Sequence, residues 1–327
     1  MPLIEVKDLY VHFEKKVGLF NWSKTGKVIV HAVDGVSFTI NQGETFGLVG
    51  ESGCGKSTMS KALLRLLPKS VVRGQVRISG NDLYLLPSRE LRQFRKNAQL
   101  IFQDVYSSLS PRMTLGEIIA EPFQIHHPEM DKASIEQKVE GLLSLVALSK
   151  RDKYKYPAEI SGGQGRRVGI ARALALQPNF LVCDELTSGL DISISAEIIN
   201  LVKRLQKEFN LTLFMISHNL GVVLYASNTV AVMYLGKIVE IGETREIFRN
   251  RRHRYTQALF SAALTVGSKG KSKKIILEGE IPSPINVPTG CRFHKRCWDC
   301  QSICEREEPV LSKIANNHWV ACHLAIR

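Results

Sequence analysis

Apolar and polar residues alternate along the first forty positions, and "LIEVKDLYVHF" and "VSFTINQGE" read as strands with a turn at Asn41 to Gly43. "TFGLVG" follows as a short apolar run, the pattern of a strand buried on both faces. "KSTMSKALLRLL" then places apolar residues at helical spacing, before "VVRGQVRISG" and "AQLIFQ" return to short strands. From about Ser110 to Leu176 the pattern is mainly helical, most clearly in the amphipathic "ASIEQKVEGLLSLVAL". Strands come back in "FLVCDE", "LTLFMISH", "NTVAVMY" and "KIVEIG", alternating with helical stretches such as "SISAEIINLVKRLQKEF". This order predicts an α/β core with a largely parallel sheet, interrupted by a helical insertion.

At 327 residues and 44% hydrophobic composition, the chain can bury one large core plus a small appended unit. Its longest apolar runs, such as "GVVLYA" and "TLFMIS", fall far short of the roughly 20 residues of a membrane-spanning helix. The start "MPLIEVKDLYVHF" lacks the succession of a secretory signal, so the expectation is a cytosolic protein whose membrane role needs other chains. The net charge of +13 is concentrated: Arg249 to Lys274 holds eight Lys or Arg and no acid. That stretch reads as a solvated basic linker, with anionic lipid or an acidic partner as the alternative. Within it, "TVGSKGKSKK" (265–274) marks a composition break. The tail beyond it is too short to build a stable core unaided, so a staple is expected.

Seven cysteines are unevenly placed: Cys54 and Cys183 stand alone as small packing residues, while five crowd the last 37 positions. In a reducing cytosol, and with an odd number, a metal or cluster site is the better reading than disulfides.

"GESGCGKS" fits G-x-x-x-x-G-K-[ST] at Gly50, Gly55, Lys56 and Ser57, between a strand and a helix. Glycines let the backbone wrap an anion so that N–H groups and a helix N-terminus point at it. Lys56 would reach the β- and γ-phosphates and Ser57 would offer its hydroxyl to Mg²⁺, with Ser52, Gly53, Cys54 and Thr58 completing the cradle. "FLVCDE" ends a buried strand in two carboxylates. Neighbours on a strand point to opposite faces, so Asp184 would hold magnesium through water and Glu185 would orient or deprotonate the attacking water. Alone, such a pair reads as a solvated strand end; beside a phosphate loop it reads as ATP hydrolysis.

"ISGGQGRRVGIARALALQPNFLVCDELTSGLD" (160–191) resembles the signature-to-D-loop block of ATP-binding cassette (ABC) transporter ATPases, with departures at Ile160, Leu186 and Gly189. The resemblance covers residues 1 to about 265. It implies a P-loop NTPase cassette, a RecA-like α/β core with an antiparallel β subdomain and a helical subdomain at about 105–177, plus a Cys-rich C-terminal extension over 266–327. Ser161, Gly162, Gly163 and Gln164 open a helix as a second anion site, which in the family closes over the γ-phosphate held by a second cassette. Position by position, Gln103 matches the glutamine that senses γ-phosphate and Mg²⁺, His218 the switch histidine, and Asp191 the aspartate that crosses the dimer interface. Phe13 falls where the family stacks an aromatic on adenine, although "EKKVGLFNWSKTGKVIV" enlarges the loop that follows.

"QDVYSSLSPRMTLGEIIAEP", "RYTQALFSA" and "IPSPINVPTGCRFHKRC" narrow the resemblance to ATPase subunits of dipeptide and oligopeptide importers; Val105 stands where Pro is common. This implies a heterodimer with a related cassette subunit, two integral membrane permease subunits docking over Gln103 to Glu121, and an extracellular or periplasmic substrate-binding protein. The chain would sit peripherally on the cytoplasmic face of the membrane and take no nucleic acid. Uptake of nickel or another small solute is the rival within transport, and a soluble ABC ATPase acting on nucleic acid or ribosomes the rival outside it. Members of the family carry a [4Fe-4S] cluster at the pattern of Cys291, Cys297, Cys304 and Cys322, with Cys300 spare. From chemistry alone zinc stays open, because Cys297 and Cys300 form a CxxC pair and His294, His318 and His323 lie close in sequence.

Overall fold

The computed structural model describes residues 2–16, 27–104, 108–264 and 275–325, which form two compact units. Unit 1 comprises residues 1–41, 45–85 and 218–327; unit 2 comprises 42–44 and 86–217. Of the enlarged loop expected over 14–30, residues 17–26 lie outside the described residues while 14–16 and 27–30 are strand; Val105 and the linker at 265–274 also lie outside them.

Unit 1 opens with β1 (Pro2–Lys16) and β2 (Lys27–Asn41), paired antiparallel with Phe13 opposite Val30. Alternation turns Ile4 and Val6 inward, and an irregularity at Asp8, with φ 46°, shifts the phase so that Leu9 and Val11 are buried as well. β3 (Thr45–Val49) has no alternation, because all five of its residues are buried. It leads into α1 (Lys56–Leu63), and β4 (Val72–Ile78) and β5 (Asn81–Asp82) complete an antiparallel sheet of order β2-β1-β4-β5.

Unit 2 begins with α2 (Ser88–Asn97) and β6 (Ala98–Ile101), followed by α3 (Leu115–His126), α4 (Lys132–Leu145) and α5 (Gly162–Leu174). Thr114 and Glu117 form a capping box at the start of α3, and Asp131 Oδ1 accepts the Ser134 N–H at 2.7 Å to start α4. β7 (Phe180–Asp184), α6 (Ile192–Phe209) and β8 (Thr212–Ile216) follow. The strands run parallel in the order β6-β7-β8, with Ile101, Cys183 and Met215 in register. α6 buries Ile198, Ile199, Val202 and Leu205 and stops at Asn210, whose left-handed φ of 51° ends the helix.

The chain then returns to unit 1 with α7 (Leu220–Ala226), β9 (Thr229–Tyr234), β10 (Lys237–Glu243), α8 (Thr244–Asn250) and α9 (Arg254–Leu264). The tail adds α10 (Ser302–Arg306), β11 (Ser312–Ala315) and β12 (His318–Val320). Within this unit the ladder runs β11-β12-β10-β9-β3, with β3 and β9 parallel and the remaining pairs antiparallel. α7 lies so close to β3 that a Cβ on Gly47 would meet Val223 Cγ1 at 2.4 Å.

The tail is tied down by more than its cysteines. β12 covers the edge of β10, supplying partners that an exposed edge would lack. His318 Nε2 pairs with Glu240 Oε1 at 2.8 Å, both side chains fully buried. Glu240 also accepts the N–H groups of Arg252 and His253 at 2.7 and 3.1 Å, so the buried carboxylate is satisfied. Further ion pairs join Lys237 to Glu308 and Arg254 to Asp299.

Candidate functional site

In unit 1 the turn between β3 and α1 has the shape of an anion cradle. Gly55 takes φ 111°, and a Cβ there would stand 2.1 Å from the Ala32 carbonyl oxygen, so no other residue fits. A Cβ on Gly50 would stand 2.2 Å from the Met233 carbonyl oxygen. α1 starts at Gly55 without a side-chain cap, which leaves its first N–H groups for an anion. Lys56 is buried, and its ammonium donates to the carbonyls of Gly50 and Glu51 at 2.8 and 2.9 Å. Ser52 and Gly53 are exposed, Ser57 and Thr58 half-buried. Cys54 is buried, and burial pushes its thiol pKa up despite nearby Lys56; like Cys183, raised to about 12 by burial, it is an inert packing residue. Phe13 sits half-buried in β1, and His218 lies exposed just before α7, whose first turn is capped by Asn219.

Unit 2 collects the acids and amides. Asp184 ends β7 and is buried. The expected opposite-face relationship of Asp184 and Glu185 does not arise from the pleat. The strand stops at Asp184, and Glu185 takes a left-handed φ of 48° with its N–H donating to Ile216 O at 2.9 Å. A non-glycine residue held at positive φ is a strained position of the kind found at reactive sites. Gln103, just beyond β6, donates from Nε2 to Glu185 Oε2 at 2.8 Å, so these two expected residues meet.

Ser161 caps α5 in a capping box: its hydroxyl accepts the Gln164 N–H at 3.4 Å, and Gln164 Oε1 accepts the Ser161 N–H at 3.0 Å. Gly162 and Gly163 pack against Leu190 and Ile194, where a Cβ would stand 3.3 and 2.9 Å away. Asp191 starts α6 exposed, its side chain making no capping bond.

Arg166 was not singled out by sequence. From α5 it donates to the carbonyls of Phe102 and Gln103 through Nη1, and to Ser188 O at 3.1 Å through Nη2. It is buried, and burial lowers its pKa against the raising influence of Asp104 and Glu185. One guanidinium thus ties together the segments that carry Gln103, the signature and the turn after Glu185. The signal lay in "GGQGRR", where an arginine on the buried face of a helix needs several acceptors.

In the tail, Cys291, Cys297, Cys304 and Cys322 line one small cavity together with His253, His294 and His323. Cys300 is exposed and outside it. Burial raises the Cys291 thiol to about 12 and the Cys297 thiol to about 11. His318, counted among the possible zinc ligands, does not line the cavity, because Glu240 engages it. Among the described residues, the one trio of ligand atoms all within 4.8 Å of one another is His12, His31 and Asp34, so no three of these thiols come that close.

Two family models match the chain: "ABC transporter" over residues 33–188 and "Oligopeptide/dipeptide transporter, C-terminal region" over 239–304. Oligopeptide transport ATP-binding protein AppF of Bacillus subtilis is 46% identical over 98% of this chain and 97% of its own length. OppF of Escherichia coli is 45% identical over 98% of this chain and 95% of its own. Among solved structures, a dimeric ATP-binding cassette in a post-hydrolysis state, bound to ADP and Pi, aligns with a TM-score of 0.64 at 26% identity. That match covers 74% of this chain and 99% of the other. No described helix is long and apolar enough to cross a membrane. With the phosphate loop, the signature helix and the tail all inside matches of near full length, the chain belongs to the ATP-binding cassette family, in its oligopeptide/dipeptide transporter branch.

Proposed function

We propose that this chain is the ATP-hydrolysing subunit that powers import of dipeptides or oligopeptides, working peripherally on the cytoplasmic face of the membrane. The observation that carries the reading is the coexistence, in one chain, of the phosphate loop around Lys56 and a tail of oligopeptide-transporter type. Lys56 and the backbone of Gly50, Ser52, Gly53, Cys54 and Gly55 hold the phosphates, Thr58 completes the cradle, and Phe13 stacks on adenine. Ser57 and Gln103 would ligate Mg²⁺ with Asp184 beside it, Glu185 would activate the attacking water, and His218 would contact the γ-phosphate. Ser161, Gly162, Gly163 and Gln164 serve the nucleotide of a second, related cassette, with Asp191 crossing between the two. The dimeric cassette found with ADP and Pi supports this arrangement. Two permease subunits dock over Gln103 to Glu121, and an extracellular substrate-binding protein delivers the cargo.

The tail holds a [4Fe-4S] cluster on Cys291, Cys297, Cys304 and Cys322, a cofactor that would crosslink segments up to 31 residues apart in sequence. Four thiols on one cavity fit such a group in donor chemistry. Co-purification with the membrane subunits, followed by ATP-driven uptake of labelled peptide into proteoliposomes, tests the whole reading. A chain that binds nucleic acid at physiological salt and no membrane subunit contradicts it.

A further inference from the structure

The tail reaches the phosphate loop directly. Glu51, the residue after the first glycine and the only carboxylate in residues 50–58, is gripped by both terminal nitrogens of Arg296. Nη1 donates to Oε2 at 2.6 Å and Nη2 to Oε1 at 3.1 Å. The Arg296 side chain is only 6% exposed and that of Glu51 26%. The Glu51 backbone is held as well, its N–H donating to the Tyr255 hydroxyl at 2.8 Å.

Four residues before Arg296, Arg292 pairs with Asp34 and donates to Leu235 O at 2.5 Å. The next residue along, Gly236, donates its N–H to Cys54 O at 2.9 Å, on the other side of the loop. Between the two arginines, Phe293 is buried with its ring 5.3 Å from Tyr234 and 5.4 Å from Tyr255. Both arginines and Phe293 belong to the segment bracketed by Cys291 and Cys297, while Tyr255 and Gly236 complete the grip from outside it.

A loop that must bind a triphosphate gains nothing from an unneutralised carboxylate, since like charges a few ångströms apart repel, most strongly where water is scarce. A forked guanidinium both cancels that charge and fixes its direction. Holding the loop by side chain and backbone also reduces the ordering that a nucleotide must impose.

We propose that Arg296 is a positioning residue of the nucleotide site: by pairing with Glu51 it neutralises the phosphate loop and sets its shape, which makes the Cys-rich tail a working part of ATP binding. This rests on the reading of the Lys56 loop as the ATP site.

The test is titration of the full-length protein with Mg-ATP, comparing wild type, Arg296→Gln, Arg296→Lys and the double variant Arg296→Gln/Glu51→Gln, with Lys56→Ala as the loop control. Arg296→Gln raises the ATP Kd by about tenfold, and the double variant, which removes the stranded carboxylate, recovers most of that loss. Arg296→Lys keeps the charge without the fork and falls between, and higher salt narrows every difference. A folded Arg296→Gln that binds ATP as wild type does, or a double variant no tighter than the single, overturns the proposal. Should Arg296→Gln not fold, a wild-type Kd in Arg296→Lys overturns it equally. Wild-type protein that binds no ATP overturns the reading of the loop itself, and this inference with it.

Discussion

Gln103 Nε2 stands 2.8 Å from Glu185 Oε2, a bond between two residues 82 positions apart that parallel neighbours β6 and β7 deliver to the same end of the sheet. On the proposed reading, this amide would orient the carboxylate that activates water and would offer its own oxygen to Mg²⁺. Gln103→Ala is expected to lower kcat about tenfold and to raise the Mg²⁺ concentration needed for half-maximal rate. Steady-state ATPase assays over a magnesium series check both, and an unchanged magnesium dependence contradicts the role.

Arg166 satisfies three carbonyls at once, on Phe102, Gln103 and Ser188. Arg166→Met removes the donor shared by these partly buried acceptors and is expected to cost about 1–3 kcal/mol of stability, besides loosening Gln103. Arg166→Lys, with fewer donors and no fork, recovers part of the loss. Denaturant unfolding of the three proteins measures the order.

Asp34 supplies a pH signature. Burial alone would raise its carboxyl pKa, but hydrogen bonds from Arg292 and His12 outweigh burial and hold it below the usual value. A depressed folded pKa means stability that is present above the unfolded pKa of about 3.9 and lost as pH falls through the folded value. Arg292→Gln should therefore melt below wild type at neutral pH, with the two melting curves converging as pH drops below about 4. A gap that stays constant through that range contradicts the assignment.

For the tail, anaerobic purification is expected to yield brown protein with iron and sulfide in cluster ratio. Cys291→Ser or Cys304→Ser should lose the iron, while Cys300→Ser should keep it, since Cys300 is exposed and outside the cavity. Colourless protein with one zinc per chain contradicts the cluster.

The elements were legible in the sequence because their patterns are local: the alternation in β1, the largely apolar runs of β3 and β7, and the stripe of α6 each declare themselves within a few residues. The phosphate loop was legible for the same reason, since Gly55 and Lys56 act within one turn. Residues that act across long separations were not. Arg166 shows its worth only once Phe102 and Ser188 are brought to it, and nothing near Glu51 announces a partner 245 positions away. The left-handed turn at Glu185 was hidden too, because "CDEL" carries no glycine to flag it. The tail looked in need of a staple because its pairing with β10 depends on an edge that only the folded sheet presents.

The central claim is that this cassette hydrolyses ATP with Glu185 as the group that activates water. Its most direct test is phosphate release by the assembled transporter carrying Glu185→Gln in this subunit, with ATP binding measured on the same preparation. The expected result is ATP bound as tightly as in wild type and turnover at this site lower by about 10²- to 10⁴-fold. Full ATPase activity in the assembled complex would contradict it.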